Sequence, residues 1–582
     1  MEAQAISTEL SAHEVVFGLL QRRDYDGALA VALGLPSAHP ERFALERVAL
    51  ARARRFAEAA VAGRRYLAGG AATTEDFYRQ AQILLKCRAF EEAFSVGTIA
   101  LQQTPEDWRL LVPMIEAVLA VPELEVALRD LAAPIVARHP HRPPAPVVDA
   151  GGIFLANHLP HYAALGGEHP IFRQFLNTLA PVRIYRPDSY GTGLLAAALL
   201  ALPRAQLAME GLLAAGIEID RADAASYVAA RFPCLLADHG GCDVEMQWHL
   251  PNSLAERPFF IHFDFMPMMF LPFAAAEHMH FPDQDPGIYR ILKQQLESPA
   301  CLGIITHAQD ASRQFADIFE SPAIERKCTL INLPSDIGER PVESRRQART
   351  RGQEGTITLF FAASASFTAD GFFARGGVDV LNAFADLSEE FDNLRLILRG
   401  QIPAILSPRL ARLAREHPRI QWIPDRLSQD EHEDLLYRSD IFVMPSIGVY
   451  RNGLIQAMRL GLVPVISDCF YAENFIEPEV TGMIARGRSH ITRIAAQPGS
   501  FRSDWRAIYG AVDRPSDPIF FENFTGAIRR LVTDRALLQR ISAHNLAAPT
   551  PHEMQQVDID RFRDVIQDGI GRAREMAAHL PP

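Results

Sequence analysis

The sequence predicts an α-helical repeat domain followed by two α/β domains, and three observations carry that expectation. An aromatic residue or leucine followed three positions later by alanine recurs at Tyr25/Ala28, Phe56/Ala59, Phe90/Ala93 and Leu124/Ala127, in steps of 31, 34 and 34 residues. A proline-rich stretch, HPHRPPAP from His139 to Pro146, then reads as a linker. Beyond it, short apolar runs alternate with amphipathic stretches. The clearest instance is Ser439 to Ile484, where an apolar run ends at Pro445-Ser446, a glycine-bearing turn follows, a helix begins near Asn452, and a second run spans Val463 to Ile466. Strand, turn, helix, strand is one unit of an α/β sheet. The expected boundaries are helical repeats over 1–142, a first α/β domain over 147–345, a second over 355–545 and a closing helical segment over 546–582.

The repeat reading has a physical basis. Alanine at a fixed place lets paired helices approach closely, and prolines at Pro40, Pro105 and Pro140 fall fifteen or sixteen residues beyond the local anchor, where they close each unit. This pattern resembles tetratricopeptide repeats; a generic helical bundle is the alternative. Such solenoids present a concave face suited to peptide, so a protein partner is expected on this domain. Arg52, Arg54, Arg55, Arg64 and Arg65 form either an anionic docking patch or, more plainly, a solvated face.

Composition narrows the function classes. The chain has 582 residues, enough for about three or four domains. Hydrophobic residues make up 48% and charged residues 22%, ordinary globular proportions with ample core. A net charge of -12 argues against a broad nucleic-acid footprint. Six cysteines are scattered without a CxxC pair, which fits a reducing cytoplasm rather than a disulfide framework or zinc site. The first residues lack the basic-then-apolar pattern of a signal segment. The most apolar stretch, Leu194 to Leu213, is interrupted by Pro203-Arg204 and holds Glu210, so it reads as buried helices rather than a membrane span.

Along the first α/β half, Ile153 to Asn157 is a short apolar run. The loop His158 to Gly167, containing His161 and ending in Gly166-Gly167, follows it, then a helix Ile171 to Leu179 and a strand Val182 to Tyr185. Pro258 to Phe263 is an apolar strand ending at His262, Asp264 and Pro267. Leu302 to Thr306, Asp310 to Phe319 and Cys328 to Pro334 read as strand, helix and strand, and Glu339 to Gly355 as an exposed linker. Asp283-Gln284-Asp285 sits among prolines and reads as a turn rather than a metal site. The second half opens with the strand Thr356 to Ala362, followed by ARGGVDVLNAF with Arg375 and Gly376-Gly377, then the strand Leu394 to Leu398 with Arg399-Gly400. In the central turn, Arg451, Asn452 and Gly453 stand between a strand's carboxyl end and a helix's amino end. Free N–H groups and the helix dipole favour anions there. His552 to Ala578 is a long amphipathic helix.

The stretch Ser439 to Ile484 resembles the donor-binding segment of family 4 glycosyltransferases of the GT-B fold. Pro445-Ser446, Asn452, Leu454-Ile455, Ala457-Met458, Gly461 and Pro464-Val465 match; Gly448 and Gln456 stand where the family carries two glutamates. The resemblance extends over Ile153 to about Arg486. It implies two facing Rossmann-like domains in GT-B arrangement, with the last helix crossing back to the first of them. In such enzymes the paired-glycine loop, here Gly166-Gly167, faces the donor phosphates and the acceptor. A His-Asp pair closes the strand that here ends at Asp264. Phe263 takes the histidine place and His262 is displaced by one, so His262, and after it His158 or His161, are candidates for an acid, base or sugar-hydroxyl ligand; a structural histidine is the alternative for His262. Of the family's two diphosphate-gripping cations, Ser364 stands near the place of one and Arg375, beside Gly376, at the other. Arg399 and Arg451 are candidates for the missing charge, with Asn452 and Gly453 offering backbone N–H groups and Gln456 an amide to the ribose. A surface arginine is the plainer alternative for Arg375. The resemblance thus implies a nucleotide-sugar as substrate, no resident cofactor and no metal. The expected activity is sugar transfer to a protein recruited by the repeats. A lipid-linked or polysaccharide acceptor, or a binding protein that keeps the fold without turnover, are the alternatives.

Overall fold

The computed structural model describes residues 11–21, 24–70, 72–104, 108–138, 153–155, 184–185, 194–235, 242–248, 258–263, 278–279, 286–307, 309–332, 355–363, 369–403, 406–425, 427–448, 450–469, 472–488, 501–502, 515, 517–547 and 556–578. The described residues before 139 form helices and the turns between them, arranged as successive hairpins: α1 (Ala12–Gln21) and α2 (Tyr25–Gly34), α3 (Arg42–Arg52) and α4 (Phe56–Ala68), α5 (Thr74–Lys86) and α6 (Phe90–Gln103), α7 (Trp108–Ala120) and α8 (Leu124–Arg138). Each sequence anchor (Tyr25, Phe56, Phe90, Leu124) is the first residue of a hairpin's second helix. Ala28, Ala59 and Ala93 are fully buried, as close helix packing requires. The turns into α4 and α6 repeat a local conformation as well: Arg54 and Arg88 both have φ of 60°. A non-glycine residue there costs about 1–2 kcal/mol, so its recurrence marks a turn that packing on either side imposes.

The fourth unit departs from this pattern. Ala127 is exposed, while Leu128 and Ala132 carry the buried face of α8. The reason lies downstream. Helices α9 (Leu194–Ala214) and α10 (Arg221–Leu235) pack against the end of the repeat stack, α10 lying along α7 and α9 beside α7 and α8. Arg221 donates to Leu119 O at 3.2 Å, Gln206 to Glu125 at 2.7 Å, and Arg88 pairs with Asp220 at 2.7 Å. One hydrophobic cluster runs without interruption from Leu50 through Leu119 and Leu128, via Leu202 and Met209, into Phe260 and Ile304 of the first α/β domain. The proline-rich segment His139 to Pro146 lies outside the described residues, but the helical packing on its two sides is continuous.

Leu194 to Leu213, expected as helices broken at Pro203, is instead one helix with the proline inside it. An interior proline costs roughly 3 kcal/mol. Leu202, Met209 and Leu212 are all buried on that helix, and each buried side chain of this size contributes about 1.5–3 kcal/mol, which outweighs the loss. Its other face is exposed at Leu200 and Leu207. Among the described residues no helix is long and apolar enough to cross a membrane.

The first α/β domain holds β1 (Ile153–Leu155), β2 (Ile184–Tyr185), β3 (Val244–Trp248), β4 (Phe259–Phe263), β6 (Cys301–Thr306) and β7 (Cys328–Leu330) in the order β2-β1-β3-β4-β6-β7, all parallel. A two-residue strand β5 (His278–Met279) pairs antiparallel with β14 (Phe501–Arg502). The second sheet comprises β8 (Ile357–Ala362), β9 (Leu394–Arg399), β10 (Ile420–Ile423), β11 (Ile441–Met444), β12 (Val463–Ser467) and β13 (Met483–Ala485). Their order is β10-β9-β8-β11-β12-β13, again all parallel. In chain terms that is 3-2-1-4-5-6, the doubly wound nucleotide-binding order, with its reversal between β8 and β11. Near-continuous burial along β4, β6, β11 and β12 follows from helices covering both faces of the sheets.

The closing helix, Gln556–Ala578, lies against the first sheet. Arg572 donates to Leu302 O at 2.8 Å, Arg561 to Leu330 O at 3.3 Å, Arg574 pairs with Asp243 at 2.9 Å, and Asn332 donates to Asp558 at 3.2 Å. Gly569 is required at this contact: a Cβ there would overlap Cζ of the fully buried Phe260 ring, which Gly303 confines from the strand side. Gly569→Ala gains about 1 kcal/mol of helix propensity but overpacks a ring with no room to retreat. We expect a net loss of about 1–2 kcal/mol, read as a lower denaturation midpoint.

Candidate active site

The site is built where the second sheet reverses its winding. Register puts Ala362, Arg399 and Ile423 side by side at the carboxyl ends of β8, β9 and β10. Arg399 therefore ends its strand at the crevice, and Gly400 follows with φ of 137°, its backbone so close to Ala363 that a side chain would collide with the alanine methyl. Across the reversal, β11 ends at Met444, and its turn is bonded to the turn after β8: Ile447 N–H donates to Ala374 O at 3.0 Å. Gly376, at φ 85°, caps the helix Gly377–Glu390, and a Cβ there would overlap Pro445 O. These two glycines let three turns converge on one spot.

Arg375 reaches this spot beside Gly376, its guanidinium 3.7 Å from the centre of the Tyr450 ring. Arg399 lies close enough for the two cations to interact: burial first, and the neighbouring Arg375 second, pull the Arg399 pKa below its usual value. Two half-buried guanidinium groups thus lie near one another, Arg399 at the end of β9 and Arg375 in the turn before the Gly377–Glu390 helix.

The third component is the amino end of the helix Arg451–Arg459. Its N-cap, Tyr450, makes no side-chain capping bond. The Oδ1 of Asn452 is buried without a hydrogen-bond partner among the described residues. Arg451 itself is buried, with its guanidinium over the Phe475 ring at 5.8 Å. Gln456 is buried one turn further along. Gly453 has no steric need to be glycine, since a Cβ would meet Phe442 at an ordinary 3.6 Å.

Arg488 holds the site from behind. It is fully buried, paired with the equally buried Asp379 in the first turn of the Gly377–Glu390 helix, donates to Pro445 O at 3.1 Å, and stacks on Phe520 at 4.0 Å. Its backbone N–H and that of Gly487 donate to Asp468 at 2.7 and 3.1 Å. One guanidinium thus ties together the turn after β8, the turn after β11 and the segment after β13. Sequence reasoning passed over Arg488, because Asp379 lies 109 residues away. Ser446 and Ser467 finish the scaffold, Ser467 Oγ donating to Ser446 O and Ser446 Oγ to Gly448 O. His432 approaches from the helix Gln429–Tyr437, facing Phe360 at 5.7 Å; burial, and next the Arg399 charge, lower its pKa to about 4.

In the first α/β domain, His262 is buried near the carboxyl end of β4. Its Nε2 lies 2.6 Å from Nε2 of His307, and His307 Nδ1 lies 2.6 Å from Ile331 O. Burial lowers the His307 pKa to about 4. Asp264, His158, His161, Gly166, Gly167, Ser364 and the Asp283–Asp285 turn lie outside the described residues. Arg375, Gly376, Arg399, Arg451, Asn452, Gly453 and Gln456 thus share one corner of the second domain, while His262 belongs to the first.

The buried histidine has a consequence for stability. The folded His307 binds its proton with a pKa of about 4 against an ordinary 6.5, so between these values the unfolded chain takes up more protons. The stability it contributes is complete above about pH 6.5 and is lost as pH falls toward 4. For this group alone the swing is about 3 kcal/mol. Unfolding midpoints measured from pH 7.5 down to pH 4 should fall, and His307→Gln should flatten part of that fall.

Residues 372–497 match the family model for group 1 glycosyl transferases, a segment containing Arg375, Arg399, Arg451 and Arg488. The fold of this chain is a set of helical hairpins followed by two α/β domains, each built on a six-stranded parallel sheet. Among solved structures, the chain is similar to Thermobaculum terrenum O-GlcNAc transferase at 12% identity, covering 97% of each chain with a TM-score of 0.35. It is similar to WaaG, a glycosyltransferase involved in lipopolysaccharide biosynthesis, at 12% identity over 71% of this chain and 99% of the other, TM-score 0.42. It is also similar to Anabaena HepE in complex with UDP, at 13% identity over 73% of this chain and 100% of the other, TM-score 0.39. No curated protein matches the sequence.

Proposed function

We propose that the chain is a glycosyltransferase that moves a sugar from a nucleoside-diphosphate donor to a protein acceptor held by its repeat domain. The observation that carries this reading is the pairing of Arg375 with Arg399 beside the helix tip at Arg451–Gly453, inside the segment that matches the family model. A diphosphate leaving group develops negative charge as the bond to the sugar breaks. Preorganised cations and N–H dipoles stabilise that charge most in a site shielded from water. The reading gives the neutralising role to arginines, assigns no metal or resident cofactor, and places the reaction in the cytoplasm. Gln456 offers an amide to the ribose, and Gly448 leaves the donor sugar to residues of the first domain.

A protein acceptor is supported by the way the repeats join the first α/β domain. Through Arg221, Gln206 and Arg88, and through the continuous core, the repeat stack holds a fixed orientation, so a bound polypeptide would be presented at a constant distance from the first sheet. A second reading, a binding protein without turnover, is favoured by one observation: Gly448 and Gln456 carry no carboxylate. Incubating the purified chain and a cell extract with labelled UDP-, GDP- and ADP-sugars separates these. Label in the protein fraction is the expected result. Label in lipid or polysaccharide moves the acceptor assignment, and nucleotide binding without transfer favours the second reading.

A further inference from the structure

On the nucleotide-binding reading above, we infer that Tyr450 is a positioning residue that lays the Arg375 guanidinium flat in the crevice, and that this second fixed cation selects a diphosphate over a monophosphate. The backbone around Arg375 is pinned. Arg375 N–H donates to Gly371 O at 3.2 Å, Gly376 N–H to Phe373 O at 2.9 Å, and Ile447 N–H to Ala374 O at 3.0 Å. What remains to be fixed is a long side chain with several rotatable bonds, and the Tyr450 ring meets its guanidinium at 3.7 Å. That separation is contact distance between flat faces. A guanidinium aiming an N–H at the ring would hold its carbon further away.

An aromatic partner has a chemical consequence. All five N–H donors of a guanidinium lie at the edge of its plane, so a ring against its face orients the group without occupying any of them. A carboxylate partner would take donors and offset the charge. The ring is held in turn by the helix it opens: Tyr450 is the N-cap of Arg451–Arg459, and its carbonyl accepts from Leu454 N–H at 3.3 Å. Arg375 is thus carried by the turn after β11 as well as by the turn after β8. Arg399, the last residue of β9, is set by its own strand. A single phosphoryl group needs one such cation, whereas two linked phosphoryl groups use both at a fixed spacing. The gain from holding Arg375 in advance therefore goes to the diphosphate.

The test is calorimetric titration of the full chain with UDP and UMP, GDP and GMP, and ADP and AMP at one salt concentration, repeated in Tyr450→Phe and Tyr450→Leu. In the pair that binds, the unaltered chain should prefer the diphosphate by about tenfold or more, the size of one charge-assisted contact. Tyr450→Phe keeps the ring and should keep that ratio. Tyr450→Leu releases Arg375 and should bring the ratio to about threefold or less, with monophosphate affinity little changed. Arg375→Lys keeps the charge but cannot lie flat on the ring, so it should shrink the ratio too, and it carries the test if Tyr450→Leu does not fold. A spectrum reads the contact itself. With arginine side-chain nitrogens labelled, the Arg375 Nε–H signal, identified by its loss in Arg375→Lys, should be displaced upfield by the ring current. It should stay there in Tyr450→Phe and return to the ordinary position in Tyr450→Leu. A ratio that survives Tyr450→Leu, an Arg375 signal indifferent to the ring's removal, or no binding of any diphosphate by the unaltered chain overturns the inference. Diphosphate selectivity with no sugar transferred from any labelled donor leaves it standing and removes the transfer reading alone.

Discussion

Replacing Arg375 or Arg399 by alanine is expected to weaken nucleoside-diphosphate binding by about ten- to a hundredfold each, with the unfolding midpoint nearly unchanged. The magnitude follows from charge-assisted hydrogen bonds, worth about 1.5–3 kcal/mol, in a partly desolvated crevice. Stability should hold because the two cations oppose each other in the free protein: Arg399 is already held below its ordinary pKa by burial and by Arg375. Removing one therefore relieves repulsion at the expense of the Arg375 contact with Tyr450. Arg→Lys at either place should recover only part of the affinity, since a point charge cannot reproduce the planar fork. Calorimetric titration at two salt concentrations checks both points, because the unaltered chain should lose affinity with salt more steeply than either variant.

Asp379→Ala should cost far more in stability than either arginine change, about 3–5 kcal/mol, because it strands the fully buried Arg488 charge. The loss should appear both in denaturant unfolding and in nucleotide affinity, since Arg488 also holds Pro445 O at the turn that abuts Gly376. The double change Asp379→Leu with Arg488→Met removes both charges and should recover a large part of the stability. If the double variant is as unstable as the sum of the singles, Asp379 and Arg488 do not act as one unit.

What the sequence made legible follows from the range of each interaction. The repeat anchors were readable because alanine and the aromatic act within one hairpin, and each anchor does open a helix. The strands of the second domain were readable because both faces are covered, which turns them into plain apolar runs. The exposure of Ala127 was not readable, since it depends on α10 taking the flank of α7 from more than 100 residues downstream. The same holds for the helix that continues through Pro203, where tertiary burial outweighs a local penalty. At the site, glycine turns and strand-end arginines carried a local signal. The partners that fix them, Asp379 for Arg488 and His307 for His262, come from other strands and helices and leave no trace in spacing.

The most direct measurement is calorimetric titration of the unaltered chain with UDP, GDP and ADP. A crevice lined by Arg375, Arg399 and a helix amino end predicts saturable one-to-one binding of at least one of them, stronger for the diphosphate than for the matching nucleoside. Absence of binding by all three at low salt, or equal binding of nucleoside and diphosphate, would contradict it.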